Sequence, residues 1–380
     1  MRVPLADRVG IVMCRTCKHS VSFIKCHSTL CSGRVPQLVS KEKVVTTTGT
    51  QSKSFRLAPS KGVTTVVAAL VVLFVLGLVV APSSVSSGAV LGMLPFAAVL
   101  AIIGLGQMLV VQQGGIDLSV PGSMSLAIVI ISHYPTGEDS LILPAIGIAL
   151  LWAIGAGLLN AFLIGGIGLN PIVATLGTNA LLFGAILGIS GGTPRATAQL
   201  LRTVAGDRTL GIPNSVYFAV LVLVIVSAII KKTVAGRQFE AAGASRPAAM
   251  VLGLKVKRIN GLSYVWAQLL YLIGGIILAG VTSQPTAYMG NSYLLPSVAV
   301  VVLGGTSLLG GRGFPLATAL AALFLRQLDQ FVLALGVPYA VRTLVQAAAF
   351  TIGVAIYTID WSEVRRRFQA MNPSSGRENS

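Results

Sequence analysis

Charged side chains are scarce in this chain. They make up 10% of its 380 residues, against 54% hydrophobic residues, whereas soluble domains carry roughly 25% charged residues. Between Gly62 and His133 the only charged residue is Asp117, and several later apolar runs also reach the roughly 20 residues that a helix needs to cross a bilayer. We therefore expect an all-α fold, a polytopic membrane bundle of about ten transmembrane helices with broken or re-entrant segments.

The residues that enzymes use for catalysis are also sparse. His133 is the only histidine after residue 27, no apolar span contains paired acidic residues, and the Gly-Lys-[Ser/Thr] of a phosphate-binding loop does not occur. The sequence therefore offers neither an ATPase site nor the residues of an intramembrane enzyme. We expect no catalysis by this chain and no cofactor.

Cysteine is confined to the first 31 residues. Thiolates at Cys-x2-Cys and Cys-x4-Cys spacing can close a tetrahedron around zinc, so a metal site is one interpretation of the cluster of Cys14, Cys17, Cys26 and Cys31. The other is a basic, disordered tail over residues 1–62 that binds no metal, because this segment has little apolar content. We adopt the second interpretation.

The net charge of +17 is unevenly distributed. Residues 1–62 carry 11 Lys/Arg against two acids, and most of the remaining excess lies in residues 231–258 and at Arg365, Arg366 and Arg367. Basic clusters beside apolar spans, without interleaved aromatic residues, fit the positive-inside rule better than a nucleic-acid surface. Membrane lipid, and not nucleic acid, is the expected neighbour of these clusters.

Ten apolar runs predict ten spans. They cover Val63–Ala81, Ala89–Val111, Met124–Ser132, Leu141–Ile164, Ile172–Ile189, Ser215–Ile230, Leu262–Thr282, Leu294–Leu303, Phe314–Leu335 and Val341–Ile359. The third and eighth are too short to cross alone, and we expect them to share the broken stretches QQGGIDLSVPGS and GGTSLLGGRG at membrane depth. The similar outline of GGIDLS and GGTSLL hints that the two halves are related repeats.

The charge bias and the span count give the same orientation. Both termini and residues 231–258 are expected in the cytoplasm and the acidic stretch HYPTGEDS outside. The span count also places residues 191–213 outside, although the arginines of this segment argue weakly against that placement. The chain is thus predicted to comprise a tail over 1–62, a transmembrane domain over 63–360 and a cytoplasmic tail over 361–380.

Four ordered motifs carry a resemblance to a known family. GGIDLSVPGSMSLA, GLLNAFLIGGIGLNPIVATLGTNALLFG, GRQFEAAGASRPAAMVLGLKVKR and SVAVVVLGGTSLLGGRG resemble the permease subunits of ribose-type sugar importers of the ATP-binding cassette class, over about Gly88–Tyr357. The resemblance implies a bacterial inner-membrane permease that pairs with a second copy or paralogue, with ATP-binding cassette ATPase subunits and with a periplasmic solute-binding protein. The implied cargo is a monosaccharide or polyol. Leu295 and Pro296 stand where ribose-type sequences carry an acidic pair, which weakens the assignment of ribose itself.

Residues 231–258 are predicted to be the site of contact with the ATPase. Gly243 is expected to end a first short helix, Ser245 or Arg246 to cap a second one, and Gly253 to end it. Apolar residues at i, i+3, i+4 and i+7 form one exposed stripe on this second helix, which needs a partner groove. The resemblance implies a coupling helix, for which we name Glu240, Gly243, Arg246, Pro247, Met250, Val251, Gly253 and Leu254. An amphipathic helix lying on lipid headgroups is the alternative.

Polar residues at membrane depth are predicted to line a translocation pathway. The candidates are Asp117, Asn160, Thr178, Gln284, Arg326 and Asp329. Each has a structural alternative, because a carboxylate can satisfy free N–H groups at a broken helix, residues three apart can form an ion pair, and polar side chains often join helices. A secondary transporter or channel without ATPases is the alternative to the importer; such a carrier needs several intramembrane carboxylates. A membrane scaffold is a third reading.

Overall fold

The computed structural model describes residues 61–338, 340–345, 347, 348 and 351. The predictions for the four cysteines, for the C-terminal tail and for most of the N-terminal tail and the tenth span fall outside the described residues. Residues 340–345, 347, 348 and 351 are helical, at the start of that tenth span.

The described residues between Lys61 and Ala334 form twelve α-helices and one short β-hairpin. The α-helices are α1 (Lys61–Val80), α2 (Ser87–Gln112), α3 (Val120–His133), α4 (Ile142–Asn160), α5 (Pro171–Ser190), α6 (Gln199–Gly206), α7 (Asn214–Lys232), α8 (Val234–Ala244), α9 (Arg246–Val251), α10 (Val256–Val281), α11 (Leu294–Leu303) and α12 (Pro315–Ala334). Strands β1 (Arg208–Thr209) and β2 (Ile212–Pro213) form the antiparallel hairpin. A π-helix continues α4 over Ala161–Ile167, and 3-10 turns cover Pro82–Val85, Asp139–Leu141 and Met289–Tyr293.

The membrane bundle predicted from the apolar runs is confirmed. Seven helices in the described part of the chain are long and apolar enough to cross a membrane, and two shorter apolar helices, Val120–His133 and Met289–Leu303, accompany them. These nine coincide with the first nine predicted spans. The two short ones are the third and eighth, which adjoin the broken stretches as expected.

Helices α2 and α10 form the centre of the bundle. They pack along each other, and most of their residues are buried. Contact between helices in lipid is favoured by close van der Waals packing rather than by the hydrophobic effect, so small residues matter where backbones meet. A Cβ on Gly165 of the π-helix would lie 2.6 Å from the Lys257 carbonyl oxygen and 3.1 Å from the Gly261 Cα of α10.

The connecting segments gather at two opposite ends of the bundle. At one end, Leu200 N donates to Asp139 Oδ1 (2.8 Å) and Arg195 Nη1 donates to His133 O (3.4 Å). Residues 191–213 therefore lie at the same end as HYPTGEDS, as the span count requires and against the weak indication from their arginines. At the other end, α8 and α9 form what we call the basic hairpin (residues 234–254).

Candidate functional site

The break between α2 and α3 is held by a buried carboxylate. Helix α2 ends at Gln112, the backbone runs without regular structure through Gly115 to Ser119, and α3 begins at Val120. Asp117 is 0% exposed, and its Oδ1 accepts hydrogen bonds from Ser119 N (2.8 Å) and Ser119 Oγ (2.5 Å). These contacts satisfy donors at the start of α3, which is the structural role that the sequence left open for Asp117.

Side chains of α10, α4 and α5 extend this arrangement into a polar cluster. Gln268 Nε2 donates to Ser119 Oγ (2.7 Å) and lies 3.4 Å from Asp117 Oδ2, while Ser123 Oγ donates to Gln268 Oε1. Asn160 Nδ2 donates to Ser119 Oγ (3.3 Å), and Thr178 Oγ1 donates to Asn160 Oδ1 (2.6 Å). The polar cluster thus joins four helices around the first broken segment.

Further polar groups hold the backbone of the break. The side-chain amide of Gln107 pairs with the backbone of Asp117. Its nitrogen donates to Asp117 O (3.2 Å), and its oxygen accepts from Asp117 N (3.2 Å). Thr175 Oγ1 accepts from Leu118 N (3.0 Å), and Asn179 Oδ1 accepts from Gly122 N (2.9 Å). Irregular backbone at membrane depth needs such internal partners, and α2 and α5 provide them.

The structure brings three of the six pathway candidates together. Asp117 and Asn160 are 0% exposed and Thr178 is 2% exposed, so all three face the interior of this chain. Thr178 also lies at the floor of an open groove of about 380 Å³ between α4 and α5, whose other lining residues are apolar or glycine. Gln284 lies apart from them, exposed on the turn that follows α10.

Arg326 and Asp329 form the ion pair that their spacing on α12 predicts. Arg326 Nη1 lies 3.2 Å from Asp329 Oδ2, and Arg342 Nε lies 3.4 Å from Asp329 Oδ1. The Arg326 guanidinium also sits 4.8 Å from the centre of the Tyr293 ring, a cation–π distance. Arg326 and Asp329 border a cavity of about 120 Å³ whose other walls are mainly apolar.

Side chains cap both helices of the basic hairpin; the cap at Ser245 was predicted from the sequence, and the cap at Thr233 was not. Thr233 Oγ1 accepts from Gly236 N (3.0 Å) at the start of α8, and Ser245 Oγ accepts from Ala248 N (3.4 Å) at the start of α9. Gly253, with φ of +78°, follows the end of α9. The predicted second helix and its boundaries are therefore confirmed.

The prediction that Gly243 ends the first helix was wrong. Helix α8 continues through Gly243 to Ala244. Glycine is needed at this position for a close tertiary contact and not to end the helix. A Cβ at this position would overlap the carbonyl oxygen of Gln112 and lie 3.2 Å from the Gly311 carbonyl oxygen. Only glycine allows α8 to approach the end of α2 this closely.

The apolar stripe of α9 is exposed over part of its predicted length. Met250 is 58% exposed and Val251 88%, and Pro247 is exposed as well. Leu254 instead packs with Ala242, Ala249 and Val256 in a small cluster beneath the hairpin. Its place at the surface is taken by Leu252, which is 75% exposed. Glu240 is half-buried on α8.

Several residues of the site were not anticipated from the sequence. Gln107 and Gln268 each interrupt an apolar helix, and an isolated amide in such a run is a signal that was available. Gln113 carried no such signal, because its contact with Phe239 joins segments 126 residues apart in the chain. Arg342 contacts Asp329 across the turn that follows α12, 13 residues away.

Comparison with known proteins agrees with this architecture. A family model described as branched-chain amino acid transport system / permease component matches residues 89–354. The chain belongs to this permease family. It is therefore a multi-pass inner-membrane protein and the permease subunit of an ATP-binding cassette importer.

Individual relatives of this permease carry transport names. It is 34% identical over 279 residues to a probable ABC transporter permease protein, y4mJ, of Sinorhizobium fredii, covering 72% of this chain and 83% of the relative. The ribose import permease RbsC of Bacillus subtilis is 32% identical over 75% of this chain and 90% of its own length. The autoinducer 2 import system permease LsrD of Photorhabdus luminescens is 31% identical over 67% and 78%. No solved structure matches this permease.

Proposed function

We propose that this permease carries a small polar solute, a monosaccharide or polyol, inward through a pore between two permease copies, driven by ATP hydrolysis on separate ATPase subunits. The observation that carries the proposal is the capped helix α9, which presents Met250, Val251 and Leu252 to water at one end of a membrane bundle. Exposed apolar side chains on a short helix are what a partner groove binds. The basic hairpin is accordingly the ATPase-binding element.

The orientation follows from the same assignment. The basic hairpin and both termini lie in the cytoplasm, where Lys and Arg beside spans are favoured. The opposite end, with α6 and the β1–β2 hairpin, faces the periplasm and receives the solute from a binding protein. Relatives named for ribose and autoinducer 2 import support a small polar cargo.

Reconstitution tests this function and separates it from its alternatives. Proteoliposomes containing the permease, candidate ATPase subunits and a sugar-loaded binding protein should take up labelled ribose, another pentose, a hexose or a polyol only when ATP is present. Uptake that proceeds equally well without the ATPase subunits would identify a secondary transporter or channel. Binding of the ATPase subunits without uptake of any of these solutes would contradict the cargo class.

A further inference from the structure

The end of α2 is capped by two separate segments of the chain. The last carbonyl groups of a helix have no partner within it. Here Gln112 O accepts a hydrogen bond from Gly311 N (3.0 Å). Gly311 lies in GGTSLLGGRG (residues 304–313), the second broken segment. Gln113 O accepts one from Arg246 Nη2 (2.8 Å), at the start of α9. Both bonds connect α2 to chain more than a hundred residues away.

Gln113 also fastens α2 to the other helix of the basic hairpin. Its Nε2 donates to Phe239 O on α8 (2.9 Å), and the residue is 2% exposed. One residue therefore touches α8 through its side chain and α9 through its carbonyl oxygen. The orientation of the whole basic hairpin is thereby tied to the end of α2.

Three backbones meet at this point with no side chain between them. Gly243 of α8 lies against the Gln112 carbonyl oxygen, and a Cβ added to Gly310 would lie 3.1 Å from both Gln112 O and Gly243 O. Gly310 and Gly311 have φ of +93° and +115°, conformations that glycine adopts without strain. Contact of this kind leaves little room for one segment to move without displacing the others.

The Gln112 side chain does not lock the arrangement. It is fully buried, its amide atoms have no hydrogen-bond partner among the described residues, and it packs against Gly313. Sliding the second broken segment past it therefore breaks no hydrogen bond of that amide. The polar bonds that hold the meeting point are the Gln113 bonds to Arg246 and Phe239 and the Gly311 bond to Gln112.

We propose that Gln112, Gln113, Gly243, Arg246 and Gly311, here called the joint, pass movement of the basic hairpin to both broken segments of the membrane domain at once. The inference rests on the proposed ATPase-driven function. Along the chain, Gln113 is followed by Asp117, which belongs to the polar cluster. Gly311 is followed in the same way by the start of α12. Arg246 is in this view a positioning residue that faces α2, and not a contact to the ATPase.

The test compares neutralisation of two arginines in the same hairpin. Both arginines are exposed, but Arg246→Met removes the bond to Gln113 O, whereas Arg237→Met makes the same change on α8 and leaves that bond in place. Each variant is reconstituted as a full complex, and ATPase-subunit binding, ATP hydrolysis and solute uptake are measured together. In Arg246→Met, binding and hydrolysis should persist while uptake per ATP falls at least about tenfold, a change that corresponds to about 1.4 kcal/mol and is no larger than the contribution of a hydrogen bond to a charged group. Arg237→Met should keep the parent's uptake per ATP, even where it weakens ATPase binding, because the Arg246–Gln113 bond stays in place. Arg246→Lys should recover part of the ratio.

A second variant covers the case in which Arg246→Met does not assemble. Alanine favours the helix more than glycine does, but in Gly243→Ala the added Cβ displaces the Gln112 carbonyl oxygen. Uptake per ATP should therefore fall again with ATPase binding retained. Gly184→Ala is the matched control, since its Cβ meets nothing within 4 Å. An unchanged uptake-to-ATP ratio in Arg246→Met or Gly243→Ala, or loss of ATPase binding in parallel with uptake, would overturn the joint. Absence of ATP-dependent uptake in the parent complex would instead reject the proposed function.

Discussion

The buried carboxylate of Asp117 allows a sharp test of how the broken helix is held. Asp117 accepts hydrogen bonds from Ser119 N, Ser119 Oγ and Gln268 Nε2 at 2.8, 2.5 and 3.4 Å. Each hydrogen bond to a charged group contributes about 1.5–3 kcal/mol, but the three share one carboxylate and are not additive. We expect Asp117→Leu to lower the free energy of unfolding by about 1–3 kcal/mol for each of these neutral donors that it leaves buried without an acceptor.

The isosteric variant separates a structural carboxylate from one that contacts cargo. Asp117→Asn keeps one acceptor oxygen for Ser119 and sets its NH2 group against Gln268 Nε2, so the stability loss should be only about 1 kcal/mol and most uptake should remain. Heating in detergent, followed by size-exclusion chromatography of the surviving monodisperse protein, gives the stability order. Asp207→Asn, at an exposed residue, is the control. Loss of uptake in Asp117→Asn with an unchanged unfolding midpoint would refute the structural role and assign the carboxylate to the translocation pathway.

Three further predictions concern separate parts of the molecule. Met250→Arg places a charge in the exposed stripe of α9 and should weaken ATPase-subunit binding at least about tenfold. Leu210→Arg, at a more exposed residue of the opposite end (91% against 58%), should leave that binding unchanged in the same pull-down titration, and equal binding by both variants would remove α9 from the interface. Replacing Arg326 by Gln together with Asp329 by Asn should raise the KM for solute uptake without lowering the amount of folded protein, and an unchanged KM would make the pair purely structural. A Cβ added at Gly261 would lie 3.1 Å from a backbone oxygen of the π-helix, and Gly261→Val adds further atoms there. The free energy of unfolding should therefore fall by about 1–3 kcal/mol, and an unaltered unfolding midpoint would show that the two helices can move apart at no cost.

The bundle could be predicted from the sequence because its signals are local and long. A run of about 20 apolar residues has few alternatives to a spanning helix, and the first nine predicted spans match helices to within a few residues except where a helix was extended by polar residues. Helix α10, for example, begins at Val256, six residues before the predicted apolar run, because Lys257 and Arg258 continue the helix beyond it. Ser245 and Gly253 were likewise readable, since helix caps depend on one residue and its own backbone.

The site could be predicted only in part because its contacts are not local. Gly243 looks like a helix stop by propensity, yet its conformation is helical and its role is set by the Gln112 carbonyl oxygen across the fold. Leu254 fits the i+7 position of the stripe, but the turn at Gly253 redirects the chain and carries Leu254 into the small cluster under the hairpin. Gln268 lies about 150 residues from Ser119 and Asp117 in the sequence. No local sequence pattern therefore predicts the hydrogen bonds between them.

The two broken segments resemble each other in sequence outline but are held differently. In GGIDLS the carboxylate of Asp117 binds the start of α3 and the polar cluster. The position of GGTSLL that corresponds to Asp117 is Ser307, an exposed and uncharged residue whose Oγ accepts a hydrogen bond from Leu309 N (3.2 Å). The segment turns at three glycines of positive φ, at 305, 310 and 311. A segment held by charge-assisted bonds resists deformation, whereas one built on glycines changes its dihedral angles at little cost. Movement that the joint passes to both segments should therefore deform the second one more than the first, so that α12 shifts relative to α3 and the polar cluster.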